Sequence, residues 1–354
     1  MSKKLILTLV KTVLPLLLGS YLIWFSFSNM TPDDKVKFYK YVKEANYFWI
    51  FMALIVSFVA FISRAYRWKY ALEPLGHTTK FWNRYHAIMI GYLMNLTIPR
   101  AGEASRAAML YRSDGVPFST SFGSIIAERA VDFIILVSIG AVTAFLGYNH
   151  FFEIMDQIKH YDFGGDSKTG EGFPWKLVIG GIVALGSIAM LYLFISKPVF
   201  RSKLIGFVKD VFAGLLSIFK LKQPIAYLGH SMLIWVCYIL MFALPFYSLD
   251  ITSNFPIPGI FLGFIAGSLG IILTNGGIGT YPVLVSLVVT FYLGKQFPNA
   301  DIGGVGIALG WIIWLSQTLL LIVLGLISLV LLPKNYTEEN AETSIHPSET
   351  SNDI

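Results

Sequence analysis

Charged residues are scarce in this sequence of 354 residues, where Asp, Glu, Lys and Arg make up only 14%. A typical soluble domain has roughly 25%. Hydrophobic residues reach 55%, and the mean hydropathy is +0.65. A soluble protein of this length has no interior large enough to bury so much apolar surface. The composition therefore argues against a soluble enzyme and indicates an integral membrane protein.

Cysteine and the common catalytic motifs are also lacking. The single Cys237 excludes an internal disulfide and a CxxC metal site. His86 and His230 stand alone, without metal-ligand spacing, and there is no P-loop, GxSxG or HExxH motif. We therefore predict no metal, no cofactor and no catalytic residue, although an enzymatic role stays open. Nucleic-acid binding is not expected, because the sequence has no soluble basic domain to carry it.

What the sequence does have is long apolar runs. Each offers about 20 or more residues, enough for a helix to cross a bilayer at 1.5 Å per residue. We predict an all-α polytopic membrane protein with about six to eight transmembrane helices. The clearest runs are 8–28, 47–65, 118–147, 176–196, 225–249 and 303–332.

Two further apolar segments are interrupted by helix-breaking residues. The first, near 85–112, contains Pro99 and Gly102, and the second, 258–293, contains a glycine-rich centre. We predict that both are re-entrant or broken segments. The chain then reads twice as two spans, a broken segment and a span, which is consistent with an inverted repeat of the kind found in transporters.

Loop charge predicts the orientation in the membrane. The loops 64–84 and 197–224 are rich in Lys and Arg, whereas 147–175 is mainly acidic. The positive-inside rule places the two basic loops in the cytosol, with both termini of the chain. We predict an integral domain over 1–333 in the cell membrane, followed by a disordered polar and acidic tail over 334–354.

Ionisable residues inside or beside the apolar runs are the candidates for a binding site. At that depth charges are costly and have to be paired or hydrated. Glu128 lies about 16 Å into its helix, and Glu128 and Asp132 share a face, so a cation from another element is expected between them. The five arginines and three carboxylates of the set sum to +5 − 3 = +2, which favours an anionic group. The set comprises Arg64, Arg67, Asn95, Arg100, Glu103, Arg106, Glu128, Arg129 and Asp132.

Each of these motifs also has a structural interpretation. Arg64 and Arg67 are typical of arginines that extend to the membrane boundary. The Asn95–Arg106 stretch is compatible with an ordinary cytosolic turn, in which Glu103 pairs with Arg106 at i, i+3. The group around Glu128 is compatible with a buried structural ion-pair network.

The motifs resemble the transmembrane domain of the lysylphosphatidylglycerol synthase/flippase family. They are RxxRW at 64–68, NxxxPRxGExxR at 95–106, ERxxD at 128–132 and GGxG at 276–279. The resemblance implies a role in moving phospholipids between leaflets, and it adds Gly276, Gly277 and Gly279 to the candidate substrate-binding residues. It also implies a stand-alone form, because only about 20 polar residues follow Lys334 in place of the soluble synthase domain of full-length relatives.

These observations leave three hypotheses. The first is a lipid flippase or transporter-like protein that binds an anionic lipid headgroup. The second is a membrane-embedded enzyme that acts on a polyprenyl-phosphate or phospholipid, with Glu128 or Asp132 as general base. The third is a scaffold for a separate lipid-modifying synthase.

Overall fold

The computed structural model describes residues 32–98, 101–146, 221–273, 275–294, 296–298 and 300–333. All regular secondary structure within these residues is helical. The predicted spans 8–28 and 176–196, the tail 334–354 and Arg100 lie outside them. The helices of the described part are α1 (Pro32–Glu44), α2 (Tyr47–Leu72), α3 (Phe81–Thr97), α4 (Ala101–Asp114), α5 (Phe118–Leu146), α6 (Pro224–Ala243), α7 (Ile257–Leu273), α8 (Thr280–Leu293) and α9 (Ile302–Leu331).

Four segments of the described part are long and apolar enough to cross a membrane: Tyr47–Leu75, Phe118–Leu146, Pro224–Ser248 and Ile302–Leu331. They correspond to α2, α5, α6 and α9, with α2 extended by a 3₁₀ turn at Glu73–Leu75 and α6 by a 3₁₀ segment at Leu244–Ser248. All four were predicted from the apolar runs. The prediction of an all-α polytopic membrane protein is therefore confirmed.

The first broken segment is a helical hairpin of α3 and α4. At its closed tip the backbone N–H of Gly102 donates a hydrogen bond of 2.7 Å to Asn95 Oδ1. At its open end the Asp114 carboxylate accepts one of 3.2 Å from the backbone N–H of Lys80. The helices have 17 and 14 residues, about 25 and 21 Å, shorter than the ~30 Å hydrocarbon core. The hairpin therefore enters and leaves at the same end of the molecule.

The second broken segment is a hairpin of α7 and α8, again of 17 and 14 residues. Its tip turns through Gly276, Gly277 and Gly279, which have φ values of 69°, 83° and 75°. Backbone in this left-handed region is strained for any residue with a Cβ, which explains the glycine-rich sequence. Trp314 of α9 anchors the tip by donating a hydrogen bond of 2.6 Å from Nε1 to the Gly276 carbonyl.

The two hairpins open at opposite ends of the molecule. The antiparallel pair α2 and α6 defines these ends: Asn46 N–H donates to the Ser248 carbonyl at one end, and Ser63 contacts His230 near the other. We call the end where α2 finishes and α6 begins end A, and the opposite one end B. The first hairpin follows α2 and opens at end A, whereas the second follows α6 and opens at end B.

This arrangement is an inverted repeat in the order and length of its elements. In α2–α5 and again in α6–α9, a long helix is followed by a hairpin of 17 and 14 residues and then by a helix of 29 or 30 residues. The hairpin tips approach each other inside the molecule, where a Cβ built at Gly276 would lie 3.8 Å from Leu96 Cδ2.

Glycines set how closely the second hairpin packs. A Cβ at Gly306 would lie 2.7 Å from the Ser286 backbone, and one at Gly310 would lie 2.6 Å from that of Pro282. Glycine at these two positions therefore lets α8 and α9 lie in near backbone contact. An aromatic and aliphatic core surrounds this half of the molecule and includes Phe242, Phe264 and Trp311.

Candidate functional site

The charged cluster lies between α2, α4 and α5, in the half of the molecule nearer end A. Arg64 and Arg67 are one turn apart on α2, and Glu128 and Asp132 are one turn apart on α5, so both pairs face each other across the helix interface. Arg106 reaches the same place from α4 of the first hairpin. All five are buried, with relative exposures between 0% and 6%.

Arg67 is the cation that joins the two carboxylates. Its Nη1 donates a hydrogen bond of 2.6 Å to Asp132 Oδ1, and its Nη2 donates one of 3.1 Å to Asp132 Oδ2. The same Nη2 also lies 3.4 Å from Glu128 Oε2. The i, i+4 spacing of Glu128 and Asp132 predicted such a cation from another element, and this prediction is confirmed.

Arg106 holds the Glu128 carboxylate through two parallel hydrogen bonds. Arg106 Nη1 donates to Oε2 at 2.9 Å, and Nη2 donates to Oε1 at 3.1 Å. The guanidinium also stacks on Trp68, with 3.6 Å from its central carbon to the ring centroid. This fork-on-carboxylate geometry is the strong form of the interaction. The i, i+3 pairing of Arg106 with Glu103 that the spacing suggested is not formed.

Arg64 makes the fewest hydrogen bonds of the buried arginines in the described part of the chain. Its one hydrogen bond there runs from Nη2 to Asp132 Oδ2 at 3.2 Å. Within the described part of the chain its buried Nε has no partner, as is also true of the Nε atoms of Arg67 and Arg106. The Arg64 guanidinium carbon lies 5.9 Å from the ring centroids of both Tyr92 and Tyr238. This arginine therefore has N–H donors that the described residues leave unused.

The buried part of the cluster has an excess of positive charge. Three buried arginines face two buried carboxylates, so the sum is +3 − 2 = +1. The excess of +2 in the sequence included Arg100, which lies outside the described residues. An uncompensated buried charge is costly, and an anion or water has to balance it.

Arg129 and Glu103 form a second ion pair at the edge of the cluster. Arg129 Nη2 lies 3.2 Å from Glu103 Oε1, and the side chains are 44% and 28% exposed. Arg129 Nη1 is also 3.7 Å from Asp132 Oδ2. The pair connects α4 of the first hairpin to α5.

A narrow cleft connects this ion pair to the buried cluster. The cleft has space for about one water molecule. The residues that line it are Arg64, Ile88, Gly91, Tyr92, Asn95, Gly102, Glu103, Arg106 and Arg129. A polar cleft with guanidinium groups in its wall is suited to a phosphate or carboxylate group.

The other predicted site residues lie apart from the charged cluster or close the hairpins. Asn95 stands in the cleft wall, but its Oδ1 holds the first hairpin together through Gly102. In the described part of the chain, Gly276 and Gly277 contact Leu96, Trp314, Ile271 and Tyr281, and they do not reach the charged residues. Their evident role is to turn the second hairpin.

Sequence reasoning missed the polar side chains of α6. Ser231 Oγ accepts a hydrogen bond of 3.3 Å from Arg67 Nη1, and the Tyr227 ring centroid lies 5.7 Å from the Arg67 guanidinium. Tyr238 lies by Arg64. Tyr227, Ser231 and Tyr238 fall at i, i+4 and i+11, so the signal was a polar stripe on one face of an apolar run.

Two of the three structural interpretations of the motifs, those for the α2 arginines and for the Glu128 group, have different outcomes. Arg64 and Arg67 are buried and paired, so they do not extend to the membrane boundary. The buried ion-pair network around Glu128 is present, and it shares Arg64 and Arg106 with the cleft. Among the described residues, no group of three or more His, Cys, Asp or Glu side chains is arranged to hold a metal.

Comparison with known proteins gives one extensive match. The sequence model of the family described as lysylphosphatidylglycerol synthase TM region matches residues 12–320. The chain is also similar to the UPF0104 membrane protein MJ1595 of Methanocaldococcus jannaschii, with 26% identity over 99 residues. That alignment covers 27% of this chain and 30% of the relative. No solved structure matches the chain.

Proposed function

Since this chain belongs to the lysylphosphatidylglycerol synthase TM-region family, we propose that it is a flippase-type transporter for a phospholipid with an anionic headgroup. The family makes it a lipid-related membrane protein. The finer proposal depends on one observation: a cleft between the first hairpin and α2 and α5 is lined by Arg64, a buried arginine with N–H donors that the described residues leave unused. A lipid phosphate would supply the negative charge that the buried cluster lacks.

The hairpin architecture supports transport rather than chemistry. Two inverted hairpins whose tips meet inside the molecule are typical of proteins that expose a central site to each side in turn. Glu128 and Asp132, the candidate bases of the enzymatic alternative, are paired with two and three arginines, respectively. The geometry therefore offers no free carboxylate for general base catalysis in the buried cluster.

The cleft is closed to a headgroup in this conformation, because a phosphate is larger than the single water for which it has room. Transport then requires the mouth of the cleft, between Glu103 on α4 and Arg129 on α5, to widen, so that the headgroup enters while the acyl chains stay in the bilayer. We place end A in the cytosol, with both termini of the chain, because the loops at that end are basic. The lipid itself would come from a separate lipid-modifying synthase.

A sidedness assay in proteoliposomes tests the proposal. Fluorescent phosphatidylglycerol in the inner leaflet should become accessible to an impermeant quencher faster with the protein than without it. Arg64→Ala should abolish the increase, and Arg64→Lys should retain part of it, because Lys keeps the charge but loses the planar fork. Lys69→Ala, an exposed cation on the same helix, is the matched control and should behave as wild type. Equal rates for Arg64→Ala and wild type would contradict the proposal.

Native mass spectrometry separates binding from transport. The wild type should retain phosphatidylglycerol in preference to phosphatidylcholine, and Arg64→Ala should lose that preference. Glycerol phosphate, which has the same charged group without acyl chains, should bind much more weakly if the ligand comes from the bilayer. Equal retention of both lipids by both proteins would exclude an anion-selective lipid site at Arg64.

A further inference from the structure

Among the described residues Glu103 is the one carboxylate that lines the cleft, and it is distinct from the two buried carboxylates of the cluster. Its Oε1 lies 3.2 Å from Arg129 Nη2, and both side chains are partly exposed. Glu128 and Asp132 are needed to neutralise Arg67 and Arg106, which are fully or almost fully buried. Glu103 is not needed in this way, because its partner Arg129 is 44% exposed and water can hydrate the guanidinium when Glu103 leaves.

We infer that the Glu103 carboxylate is a resident competitor of the ligand, which occupies Arg129 and holds the cleft closed until an anionic phosphate group displaces it. The inference rests on the proposed function, since it names a further residue of the same site. It changes the role of Glu103 from a ligand-binding residue to one that opposes binding. It also assigns Arg129 as the first cation that the phosphate meets.

Three observations lead to this assignment. The pair joins α4 to α5, which are the two walls that have to separate before a headgroup fits. Arg129 and Arg64 line the same cleft, so a phosphate that replaces Glu103 at Arg129 also approaches the unused donors of Arg64. Arg129 retains Asp132 as a second partner at 3.7 Å, so the loss of Glu103 does not leave Arg129 without a carboxylate nearby.

When the ligand phosphate replaces Glu103 at Arg129, no additional unpaired charge is buried. In the closed state Arg129 faces Glu103, and in the open state Arg129 faces the ligand phosphate while Glu103 moves with the first hairpin into water. An exposed or partly exposed ion pair is weak enough to be exchanged in this way, whereas the buried pairs around Glu128 are not. The ion pairs between the first hairpin and α5 are therefore of two kinds: the buried Arg106–Glu128 pair stays in place as a pivot, and the Glu103–Arg129 pair at the mouth can be exchanged.

The sign of the effect makes the inference testable. Glu103→Gln removes the competing charge, so the affinity for phosphatidylglycerol in detergent, measured by native mass spectrometry, should rise about two- to fivefold, the range that a partly exposed ion pair is worth. Arg129→Gln should lower the affinity. In the Arg129→Gln background, Glu103→Gln should give no further gain, because the two groups act through one contact.

The matched control is Glu73→Gln. Glu73, which directly follows α2, pairs with Lys69 of that helix at 3.5 Å, with exposures of 26% and 43%. These are close to the exposures of the Glu103–Arg129 pair, but Glu73 lies outside the cleft. It should leave lipid affinity unchanged. Thermal unfolding of each variant shows whether the protein is folded, and Glu103→Asp provides a second variant that keeps the charge and should bind as wild type or more weakly than Glu103→Gln.

The outcomes distinguish this inference from the proposed function. If Arg64→Ala weakens binding while Glu103→Gln leaves it unchanged or weakens it, the competitor role is wrong and the lipid site stands. If neither variant changes binding, both are wrong. Glu103→Gln could also raise the affinity for glycerol phosphate as much as that for phosphatidylglycerol. This result would support the competition at Arg129, but it would indicate a water-soluble ligand rather than a lipid from the bilayer.

Discussion

Glu128 accepts hydrogen bonds from Arg106 on both carboxylate oxygens and lies 3.4 Å from Arg67. Its exposure of 1% means that water cannot replace it. Glu128→Leu would leave Nη1 and Nη2 of Arg106 without their carboxylate acceptor. It would also raise the excess of buried positive charge from +1 to +3 − 1 = +2. We expect a loss of about 3–5 kcal/mol of stability, the cost of breaking a buried pair from one side. A lowered Tm in detergent is the measurement.

The double variant Arg106→Met and Glu128→Leu is the control. It removes one charge of each sign, so the buried excess returns to +2 − 1 = +1, and most of the lost stability should be recovered. If Glu128→Leu alone unfolds at the same temperature as wild type, the carboxylate is not a structural member of the cluster. Recovery in the double variant would attribute the loss to the uncompensated arginine rather than to the shape of the leucine.

The pairing of the buried arginines with the two buried carboxylates was partly predictable from the sequence. Charges in an apolar run have to be buried and paired, and this argument correctly brought Arg64, Arg67 and Arg106 to Glu128 and Asp132. Which arginine serves which carboxylate was not predictable, because it depends on the relative rotation of α2, α4 and α5. The same applies to Tyr92 and Ser231, whose contribution depends on contacts between helices that are distant in sequence.

At the scale of the element, the first hairpin depends on the absence of a side chain at Gly102. A Cβ at this position would clash with the Asn95 side-chain amide and with the Gly91 carbonyl. Gly102→Ala therefore has to move α4 away from α3, and it also disturbs the Gly102–Asn95 hydrogen bond. We expect a loss of about 1–3 kcal/mol, measured as a drop in Tm, together with weaker retention of phosphatidylglycerol, because the displaced helix carries Arg106.

Gly123→Ala is the control for that substitution. Gly123 lies in the interior of α5, and a Cβ there would meet nothing within 4 Å. Alanine also favours the helix over glycine by up to about 1 kcal/mol. The variant should be as stable as wild type or slightly more stable. A similar drop in Tm for both variants would mean that the close approach of α3 and α4 is not what requires glycine at position 102.

Both hairpins were foreseeable as elements, because Pro and Gly interrupt apolar segments of bilayer length at Pro99–Gly102 and Gly276–Gly279. Their function was less predictable. A glycine motif that resembles part of a family site is, in the structure, a turn with three positive φ angles. The sequence pattern could not separate the two roles, since a glycine needed for backbone geometry and one needed for ligand approach are the same residue type.

At the scale of the whole molecule, loop charge carried more information than the apolar runs. The runs alone do not say whether the segment 85–112 crosses the membrane. The basic character of the flanking loops favoured a hairpin, and the structure brings Lys80 and Asp114 within a hydrogen bond of each other at end A. The approach of the two hairpin tips through Leu96 and Gly276 was not predictable, because it is a contact between halves separated by most of the chain.

The same arrangement gives a labelling pattern for the protein in cells. In a Cys237→Ser background, which removes the single native cysteine, Thr78→Cys and Ser113→Cys lie at end A and Asn254→Cys lies at end B. An impermeant maleimide added outside intact cells should label position 254 and leave 78 and 113 unlabelled, because basic loops remain in the cytosol. After the membrane is permeabilised, positions 78 and 113 should be labelled together.

Each result separates the orientation of the chain from its fold. Labelling of 78 and 113 from outside, with 254 protected, would reverse the orientation but leave the hairpin intact, because the two end A positions would still behave alike. Labelling of 113 but not 78 from outside would contradict the hairpin itself, since α3 and α4 would then cross the bilayer once between them. The cleft at Arg64 would in that case open to the opposite leaflet, and the proposed entry of the headgroup from the cytosolic side would be wrong.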